Sequence, residues 1–334
     1  MKILITGAGG YIGSVTSYLF LQKGFEVVAL DNFSHGFRKP LEVLQKKFGK
    51  TKFRFYEMDT KGDLSSLFKK EKGIEAVVHF AGFIVVGESM ENPQKYFINN
   101  VCGSVDLISC LIEQNINKFV FSSTAAVYSK AEYLPLDEKH PTGPVNPYGE
   151  SKLMVEKILE WYGQLLNFNY IIFRYFNVCG ASDDGLLGYS NKPSTHLIPN
   201  AVKGALGIEP FSLTCPVVAT KDKTPIRDYV NVVDLAEAHL RAVEYLLHNG
   251  KNNIINLGTG AGNSVLEIIN KVQEITGVEF DLQKTTPRKG EAAKLVTSIE
   301  KAQKILGWRP KRTLEDSIIS SVKWFRKHPQ GWED

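Results

Sequence analysis

A tyrosine and a lysine four residues apart, Tyr148 and Lys152, are the pair in this sequence best suited to proton transfer. Residues at this spacing share one face of a helix. A free phenol has a pKa of about 10 and is only about 0.1% ionised at neutral pH, which makes it a poor base. Stabilising the phenolate at neutral pH takes about 4 kcal/mol, which one positive charge at about 4 Å supplies at an effective dielectric constant near 20. Lys152 can therefore convert Tyr148 into a general base.

Most tyrosine–lysine pairs at this spacing lie on an exposed helix face and have no catalytic role. The surrounding sequence indicates that this pair is different. An apolar strand upstream ends in Ser122-Ser123-Thr124, and α/β sheets place their chemistry at such strand ends. Thr124 can hydrogen-bond a substrate oxygen that shares a proton with Tyr148, although the same side chain could also cap a helix or a turn. The sequence therefore indicates catalysis by Thr124, Tyr148 and Lys152.

A glycine-rich segment, Gly7-Ala8-Gly9-Gly10-Tyr11-Ile12-Gly13, follows the first apolar strand and opens a helix. Gly7 permits a tight turn, Gly10 lets the backbone approach a pyrophosphate, and Gly13 allows close packing of helix and sheet. The N-terminus of the helix offers free N–H groups and its positive dipole end to phosphates. A plain turn would need neither the helix nor an acidic partner downstream, so the segment predicts a dinucleotide site.

The acidic partner is Asp31, which ends the second strand 18 residues beyond the last glycine of that segment. A carboxylate there accepts hydrogen bonds from ribose hydroxyls and repels a 2′-phosphate, which predicts NAD rather than NADP. Arg38 and Lys39 lie close in sequence and would favour NADP, but this signal is weaker than the carboxylate at the strand end. Asp59, after the third strand, is equally consistent with holding the adenine edge and with capping a helix.

Short apolar strands alternate with helical patterns through the first half of the chain, which predicts a parallel sheet covered on both faces. The predicted strands span residues 2–6, 26–31, 52–57, 76–80, 118–122 and 169–174, with helices such as 11–23 and 151–165 between them. The predicted fold class is α/β, a doubly wound Rossmann fold with a smaller C-terminal α/β substrate-binding lobe. We predict domains at residues 1–177 and 178–334, with segments near 225–260 returning to the first domain. Later, Ser264 with Glu267 and Thr313 with Asp316 have the spacing that begins a helix.

The overall composition is that of an ordinary globular enzyme, with 43% hydrophobic and 23% charged residues. The net charge of +4 comes from scattered lysines and arginines, so we expect no nucleic-acid partner. The four cysteines show no C-x-x-C spacing and the seven histidines no H-x-x-x-H pattern, which predicts free thiols and no metal. The N-terminus opens directly into a strand rather than a signal peptide, and no apolar stretch has the length of a membrane span. We expect a cytoplasmic protein with no membrane partner.

Along almost its whole length the sequence resembles the extended short-chain dehydrogenase/reductases, most closely the bacterial UDP-galactose 4-epimerases. The matching segments include His79-Phe80-Ala81-Gly82, Asn99-Asn100-Val101, Phe121-Ser122-Ser123-Thr124-Ala125-Ala126-Val127-Tyr128, Arg174-Tyr175-Phe176-Asn177, His196-Leu197-Ile198-Pro199 and Arg227-Asp228-Tyr229-Val230. No single segment is specific, but the ordered set is. The resemblance implies a homodimer with tightly bound NAD that epimerises UDP-hexoses at C4 through a transient 4-keto sugar.

The resemblance also assigns residues to the two ligands. The residues that it implies for NAD are Gly7, Gly10, Tyr11, Ile12, Gly13, Asp31, Asn32, Asp59, Thr60, Phe80, Ala81, Gly82, Asn99, Thr124, Tyr148, Lys152 and Phe176. Those that it implies for the UDP-sugar are Thr124, Tyr148, Asn177, His196, Leu197, Arg227, Arg288 and Leu295. Among them, Asn99 would contact the nicotinamide side and Phe176 would line the cofactor pocket. The diphosphate would be held by Asn177, Arg227 and Arg288, because guanidinium groups match phosphate oxygens.

Three departures from the family pattern stand out. Many members have lysine where this chain has Ile84, and residues 217–224 replace a Gly/Asp-rich approach to Arg227. Leu295 occupies the position of a gatekeeper of the sugar pocket that is often tyrosine. Because leucine is shorter than tyrosine, we expect N-acetylated UDP-hexoses to be epimerised as well as the plain hexoses.

Other activities on the same fold are distinguished by a few positions. Related dehydratases carry an Asp-Glu pair directly after the threonine, and Ala125-Ala126 stand there in this chain, so the elimination of water lacks its general acid. A UDP-glucuronate 4-epimerase or decarboxylase would share the Thr-Tyr-Lys set and is the alternative activity. A non-catalytic NAD-sensing relative is the alternative from another class, although such relatives tend to lose the Tyr-Lys pair.

Overall fold

The main feature of the fold is a sheet of parallel strands. The computed structural model describes residues 1–190, 194–211, 213, 215, 217–279 and 292–332. The strands of this sheet are β1 Lys2–Thr6, β2 Glu26–Asp31, β3 Phe53–Glu57, β4 Ile74–His79, β5 Lys118–Thr124, β6 Asn169–Tyr175 and β9 Asn253–Leu257. Their spatial order is β3-β2-β1-β4-β5-β6-β9, and every neighbouring pair is parallel. The order reverses between β1 and β4, where doubly wound sheets bind their ligands.

A smaller sheet lies beyond the sixth strand of the main sheet. Its strands are β7 Asn177–Cys179, β8 Ile226–Asn231, β10 Gly262–Ser264 and β11 Lys294–Leu295. The central strand, β8, pairs in parallel with β7 and β11 and antiparallel with β10. This sheet carries Asn177 and Arg227, two residues that the sequence assigned to the substrate. The division into domains at residue 177 stays a prediction.

Helices cover both faces of the main sheet and also pack against the smaller sheet. They are α1 Tyr11–Gln22, α2 Lys39–Phe48, α3 Ser65–Lys70, α4 Val86–Glu91, α5 Pro93–Tyr96, α6 Gly103–Glu113, α7 Pro147–Leu166, α8 Leu197–Ala205, α9 Val232–Leu247, α10 Val265–Thr276, α11 Glu300–Leu306 and α12 Leu314–Lys327. A π-helix, Phe97–Cys102, precedes α6, and a short 3₁₀ helix, Ala125–Val127, follows β5. On β1, Ile3 and Ile5 join one core cluster and Leu4 the other, because successive side chains of a strand point to opposite faces. Both faces are buried, which explains the uninterrupted apolar strands.

The predicted fold class is confirmed, and the six predicted strands are present with bounds that differ by at most two residues. The seventh strand, β9, was not among the predicted strands, although the turn signal Asn249-Gly250 separates it from the helix before it. The helix of Tyr148 and Lys152 begins at Pro147, before the stretch 151–165, because the Asn146 side chain accepts a hydrogen bond from the Gly149 N–H and caps the helix. The predicted placement of both residues on this helix is confirmed. Ser264 and Thr313 form complete capping boxes at the starts of α10 and α12, as their spacing predicted.

Candidate active site

A single long cleft runs along the carboxyl ends of the parallel strands and reaches the smaller sheet. Its volume is 1090 Å³, which exceeds the range of about 300–1,000 Å³ that is usual for one small ligand. The predicted residues that line it are Gly7, Gly10, Tyr11, Ile12, Gly13, Asp31, Asn32, Asp59, Thr60, Phe80, Ala81, Gly82, Asn99, Thr124, Tyr148, Lys152, Phe176, Asn177, His196, Leu197 and Arg227. The cleft is therefore larger than one small ligand needs, and it brings together residues assigned to NAD and residues assigned to the UDP-sugar.

Two predicted residues stand apart from this set. Arg288 lies outside the described residues. Leu295 lies in β11, in register with Arg227 of β8, and is not among the described residues that line the cleft. Ile84, where the family pattern has lysine, does line the cleft and is 46% exposed. The apolar side chain therefore faces the space in which the family places a positive charge.

The glycine segment forms a tight loop between β1 and α1. Gly10 precedes the first turn of α1, and no side chain caps this helix, whereas side chains cap α7, α10 and α12. The N–H groups of the first turn and the positive end of the helix dipole are therefore available to an anion. A Cβ on Gly13 would lie 2.2 Å from the Gly7 carbonyl oxygen, so the loop closes this tightly only with glycine at this position.

Asp31 lies at the end of β2 with its carboxylate turned toward this loop. One carboxylate oxygen accepts a hydrogen bond from the Gly9 N–H at 2.8 Å, and the other accepts one from the Phe33 N–H at 2.8 Å. Burial raises the pKa of this carboxyl group and these N–H donors act in the opposite direction. A carboxylate offers about four acceptor positions, so two N–H bonds leave capacity for ribose hydroxyls. The loop and Asp31 thus fit the adenosine half of a dinucleotide.

Asp59 does not cap a helix, which was one of its two sequence interpretations. Its carboxylate accepts hydrogen bonds from the Asn32 side-chain amide at 2.8 Å and from the Lys61 N–H at 2.9 Å. The next helix, α3, begins only at Ser65. Asp59 therefore holds a turn at the rim of the cleft and joins it to the Asn32 loop.

The three residues predicted to be catalytic come from two elements that approach each other closely. Thr124 ends β5 and its hydroxyl accepts a hydrogen bond from the Ala126 N–H at 3.1 Å, which caps the 3₁₀ helix. Tyr148 lies in the first turn of α7 and Lys152 one turn later. A Cβ on Gly149 would lie only 2.3 Å from the Ala126 carbonyl oxygen, so this glycine lets α7 pack against the end of β5. Sequence analysis missed Gly149; the signal was a glycine inside a helix, where it is usually unfavourable.

The pKa of Tyr148 does not shift in the direction that its spacing from Lys152 predicts. Lys152 is buried, its ammonium donates a hydrogen bond to the Ser122 carbonyl oxygen at 3.0 Å, and burial lowers its pKa to about 8. We expected Lys152 to lower the pKa of Tyr148. Within the chain, burial has the largest effect and raises the pKa of this phenol, while the Thr124 hydroxyl acts in the opposite direction. The phenolate is the form that loses most by leaving water, which accounts for the direction.

A second residue that sequence analysis missed is Asn100 in the π-helix. Its side chain accepts a hydrogen bond from the Phe83 N–H at 2.8 Å and donates to the Phe83 carbonyl and to Ser151, both at 3.0 Å. Ser151 in turn donates to the Tyr148 carbonyl at 2.7 Å. Asn100 therefore fixes the loop after β4 to the first turn of α7. Its neighbour Asn99 lines the cleft. The sequence analysis assigned a role to Asn99 and none to Asn100.

At the far end of the cleft, polar residues come from the smaller sheet and from the segment before α8. The Arg227 guanidinium donates to the carbonyl oxygens of Ile226 and Ala292, both at 2.9 Å, and the Asn177 amide donates to the Asp228 carbonyl at 3.2 Å. The His196 ring contacts the Tyr189 hydroxyl at 3.0 Å. Burial lowers the pKa of His196 to about 4, so this ring is neutral at physiological pH. The end of the cleft is thus cationic through Arg227 alone among these residues.

Two further observations concern the described part of the chain as a whole. No group of three or more His, Cys, Asp or Glu side chains in it has a metal-binding arrangement. None of its helices combines the length and apolar character needed to cross a membrane.

The doubly wound sheet and the cleft with a glycine loop, Asp31 and a Tyr-Lys pair define a dinucleotide-dependent α/β enzyme. The chain belongs to the NAD dependent epimerase/dehydratase family, whose model matches residues 3–258. It is 39% identical over 338 aligned positions to the UDP-glucose 4-epimerase of Lactobacillus helveticus, and the match covers 100% of both chains.

Solved structures agree with this membership. The UDP-glucose 4-epimerase of Bifidobacterium longum in complex with NAD+ and UDP superposes with a TM-score of 0.92 at 34% identity, over 99% of this chain and 100% of that one. The UDP-Glc/GlcNAc 4-epimerase of Campylobacter jejuni superposes with a TM-score of 0.84 at 38% identity, over 98% of this chain and 99% of that one. The resemblance drawn from the sequence is confirmed at the level of the family.

Proposed function

We propose that this protein interconverts UDP-hexoses by inverting the configuration at C4, with NAD as a resident cofactor. The observation that carries the proposal is the convergence of two residue sets on one cleft: the glycine loop with Asp31, and Thr124 with Tyr148 and Lys152. The alanines that follow Thr124 support epimerisation over dehydration, since they provide no acid. The relatives named UDP-glucose 4-epimerase support the same reaction, because they match this chain over its whole length.

The residues around the glycine loop fit NAD. The uncapped start of α1 suits a pyrophosphate, and Asp31 suits an adenosine ribose that carries no phosphate. Arg38, which could have favoured NADP, forms an ion pair with Glu57 and lies over the Phe33 ring with 4.7 Å between its guanidinium carbon and the ring centre. Bound NAD supplies a hydride acceptor and donor for C4 of the sugar.

Side chains of the protein transfer the proton and bind the nucleotide. Tyr148 takes the proton from the sugar 4-hydroxyl and later returns it to the 4-keto oxygen. Lys152 stabilises the phenolate, and Thr124 hydrogen-bonds both the phenol and the sugar oxygen. Arg227, Asn177 and Arg288 hold the diphosphate, so that the keto sugar can turn and present its other face while the nucleotide stays in place.

A direct assay tests the proposal. Purified protein should convert UDP-galactose to UDP-glucose without added NAD, and denatured protein should release about one NAD per chain, because each turnover regenerates the cofactor. Net accumulation of NADH with a requirement for stoichiometric NAD would mark a dehydrogenase instead. UDP-glucuronate serves as the comparison substrate, and preferred turnover of this sugar would favour the uronate epimerase or decarboxylase.

The sugar pocket is proposed to admit N-acetylated UDP-hexoses too, as Leu295 and the dual substrate name of the Campylobacter jejuni relative suggest. Leu295 pairs with Arg227, so the two side chains share one face of the smaller sheet, and a tyrosine ring at position 295 would extend further from that face. Leu295→Tyr is therefore expected to reduce turnover of UDP-N-acetylglucosamine by about tenfold, the usual order for a pocket that loses room for a small group. Turnover of UDP-galactose should change little. Equal effects on both sugars, measured as kcat/KM, would remove Leu295 from the gatekeeper role.

A homodimer is the proposed assembly, formed through an apolar stripe on α7. The stripe consists of Met154, Ile158, Trp161 and Leu165, which share one helix face by their spacing. Trp161 is 60% and Leu165 is 71% exposed. The opposite face of α7 carries the buried Lys152. An exposed apolar stripe of this kind marks a protein contact, and a twofold axis lets the same stripe on two copies cover itself.

Trp161→Glu is expected to convert the dimer into a monomer, because it places a charge in the centre of the apolar contact. Light scattering should give a mass near that of one chain, 37.3 kDa, instead of twice this value. Glu160→Lys changes the charge of the adjacent exposed position off the stripe and should leave the dimer intact. A wild-type protein that is already monomeric at assay concentration would contradict the proposal.

A cytoplasmic location is part of the same proposal. Cys102, Cys110, Cys179 and Cys215 are all free thiols in the structure. Reducing compartments keep thiols in this form, whereas secreted proteins tend to pair them. The free thiols therefore support the location without depending on the enzyme's activity.

A further inference from the structure

A buried ion pair lies directly beneath the catalytic residues. The Glu156 carboxylate and the Arg174 guanidinium are 1% and 4% exposed. The Arg174 Nε–H donates to both carboxylate oxygens, at 3.0 and 3.1 Å, and the Nη2 group donates to one of them as well. The Ser123 hydroxyl donates to the same carboxylate. The carboxylate is thus fully hydrogen-bonded, as a charge away from water must be.

This carboxylate connects the elements that carry the catalytic set. Glu156 lies one helical turn after Lys152 on α7, and Ser123 directly precedes Thr124 on β5. Arg174, near the end of β6, lies over the Tyr128 ring with 4.9 Å between its guanidinium carbon and the ring centre. Moving Glu156 would therefore loosen α7 from the strand end against which Tyr148 and Thr124 meet.

The same carboxylate also acts on Lys152 through its charge. Burial lowers the pKa of Lys152 to about 8, and the negative charge of Glu156 acts in the opposite direction. Other titratable or charged groups lie on α7 itself and on the elements near it. They are Tyr148 on α7, His79 on β4, Arg174 and Tyr175 on β6, and Glu88, Lys95 and Tyr96 on α4 and α5.

None of these other groups in the described structure duplicates what Glu156 does. Glu88 forms an ion pair with Lys95 in which both side chains are about one third exposed, so water screens its charge, whereas the Glu156 pair is buried. Burial lowers the pKa of His79 to about 3, so this ring is neutral between Thr6 and Ser104. Burial raises the pKa of Tyr175, which stays a neutral phenol bonded to Ser122.

We propose that Glu156 is a positioning residue for catalysis, which holds α7 against the end of β5 and places a buried carboxylate one helical turn from Lys152. Arg174 balances the carboxylate, so that the site carries a buried anion without an uncompensated charge. The inference rests on the proposed function, in which the Lys152 ammonium stabilises the Tyr148 phenolate. Glu156 touches neither sugar nor cofactor in this scheme and acts through Lys152.

The test replaces Glu156 with the neutral, isosteric glutamine. Without the anion, the Lys152 ammonium is less favoured, so the pKa of Lys152 should fall by about one unit. The alkaline limb of the kcat/KM profile should move to lower pH by the same amount, and kcat at pH 8 should fall about tenfold with little change in KM. Tyr148 should then titrate at higher pH. Its phenolate is followed by ultraviolet difference absorbance, wild type against Tyr148→Phe in each background.

Matched variants separate this role from a purely structural one. Glu160→Gln removes an exposed carboxylate one turn further along α7 and should leave the Tyr148 titration unchanged. Glu156→Gln alone strands a buried guanidinium and can unfold the protein. The double variant Glu156→Gln/Arg174→Met removes both charges and should be more stable than the single variant. It should keep part of the shifted titration, because the charge of Glu156 rather than that of Arg174 acts on the pKa of Lys152. A folded double variant whose Tyr148 titration and alkaline limb match the wild type would overturn the inference.

The absorbance titration needs no turnover, so failure of the proposed function can be distinguished from failure of the positioning role of Glu156. A wild type that does not epimerise UDP-hexoses overturns the proposed function, while the Tyr148 titration still measures the effect of Glu156. A wild type that turns over UDP-galactose, with a titration unaffected by Glu156→Gln, overturns the positioning role alone.

Discussion

Replacing Tyr148 with phenylalanine is expected to lower kcat for UDP-galactose by about 10²–10⁴-fold, the usual contribution of a general acid–base group. The phenol is the group in the described cleft that can exchange a proton with the sugar 4-hydroxyl beside Thr124. Phenylalanine keeps the ring contact with Tyr96, whose centre lies 6.4 Å from that of Tyr148, and so preserves the packing. KM and the NAD content should stay near their wild-type values. Steady-state kinetics and the NAD released on denaturation measure these quantities.

A matched control is Tyr133→Phe, which removes an exposed phenol that bonds to Asp137 outside the described lining of the cleft. That variant should retain wild-type kcat. If Tyr148→Phe turns over UDP-galactose at nearly the wild-type rate, another group moves the proton and Tyr148 has no catalytic role.

The second large effect is expected at the glycine loop, where Gly13→Ala should lower both the NAD content of the protein and its free energy of unfolding. The new Cβ would lie 2.2 Å from the Gly7 carbonyl oxygen and 2.9 Å from the Ala8 Cα, and both are backbone atoms that cannot move alone. The loop must open, which we expect to lower the free energy of unfolding by about 3 kcal/mol. The purified variant should contain less than about a tenth of the wild-type NAD. Chemical denaturation and cofactor release measure the two effects.

Gly10→Ala is the control that distinguishes a loss of NAD binding from a loss of folding stability. Its new Cβ meets only the Gly7 carbonyl oxygen, at 3.3 Å, so the free energy of unfolding should change by less than about 1 kcal/mol. Gly10 lines the cleft, however, and a methyl group there keeps the backbone from approaching a pyrophosphate. We therefore expect a stable protein with reduced NAD content. Gly13→Ala that keeps full NAD and stability would contradict this account of the loop.

Much of the fold and of the site could be predicted because the signals are local. The glycine loop, the strand that ends in Asp31 and the four-residue spacing of Tyr148 and Lys152 are each read from fewer than about 30 neighbouring residues. The capping boxes at Ser264 and Thr313 are of the same kind. Local hydrogen bonds and side-chain periodicity fix such features, so that the sequence carries them without knowledge of distant partners.

What the sequence could not specify depends on pairs of residues far apart in the chain. The π-helix and the Asn100 bond to Ser151, 51 positions later, join elements that no local pattern relates. Glu156 lies in a helix pattern that looks like any other, and only the packing of α7 on β5 and β6 buries it against Arg174.

The direction of the Tyr148 pKa is a similar case. The sequence supplies the nearby lysine, but the balance between its charge and the loss of solvent depends on burial, which is a property of the assembled cleft. Leu295 also looked like part of the sugar pocket by its position in the chain. In the structure it pairs with Arg227 and is not among the described residues that line the cleft, so its part in the sugar pocket stays a prediction. Which side chains face the cleft depends on strand register, and the sequence does not specify the register of β11. The sequence alone therefore determined the chemistry available and the elements that carry it, whereas the tertiary structure decided which charges are buried together and which side chains reach the ligands.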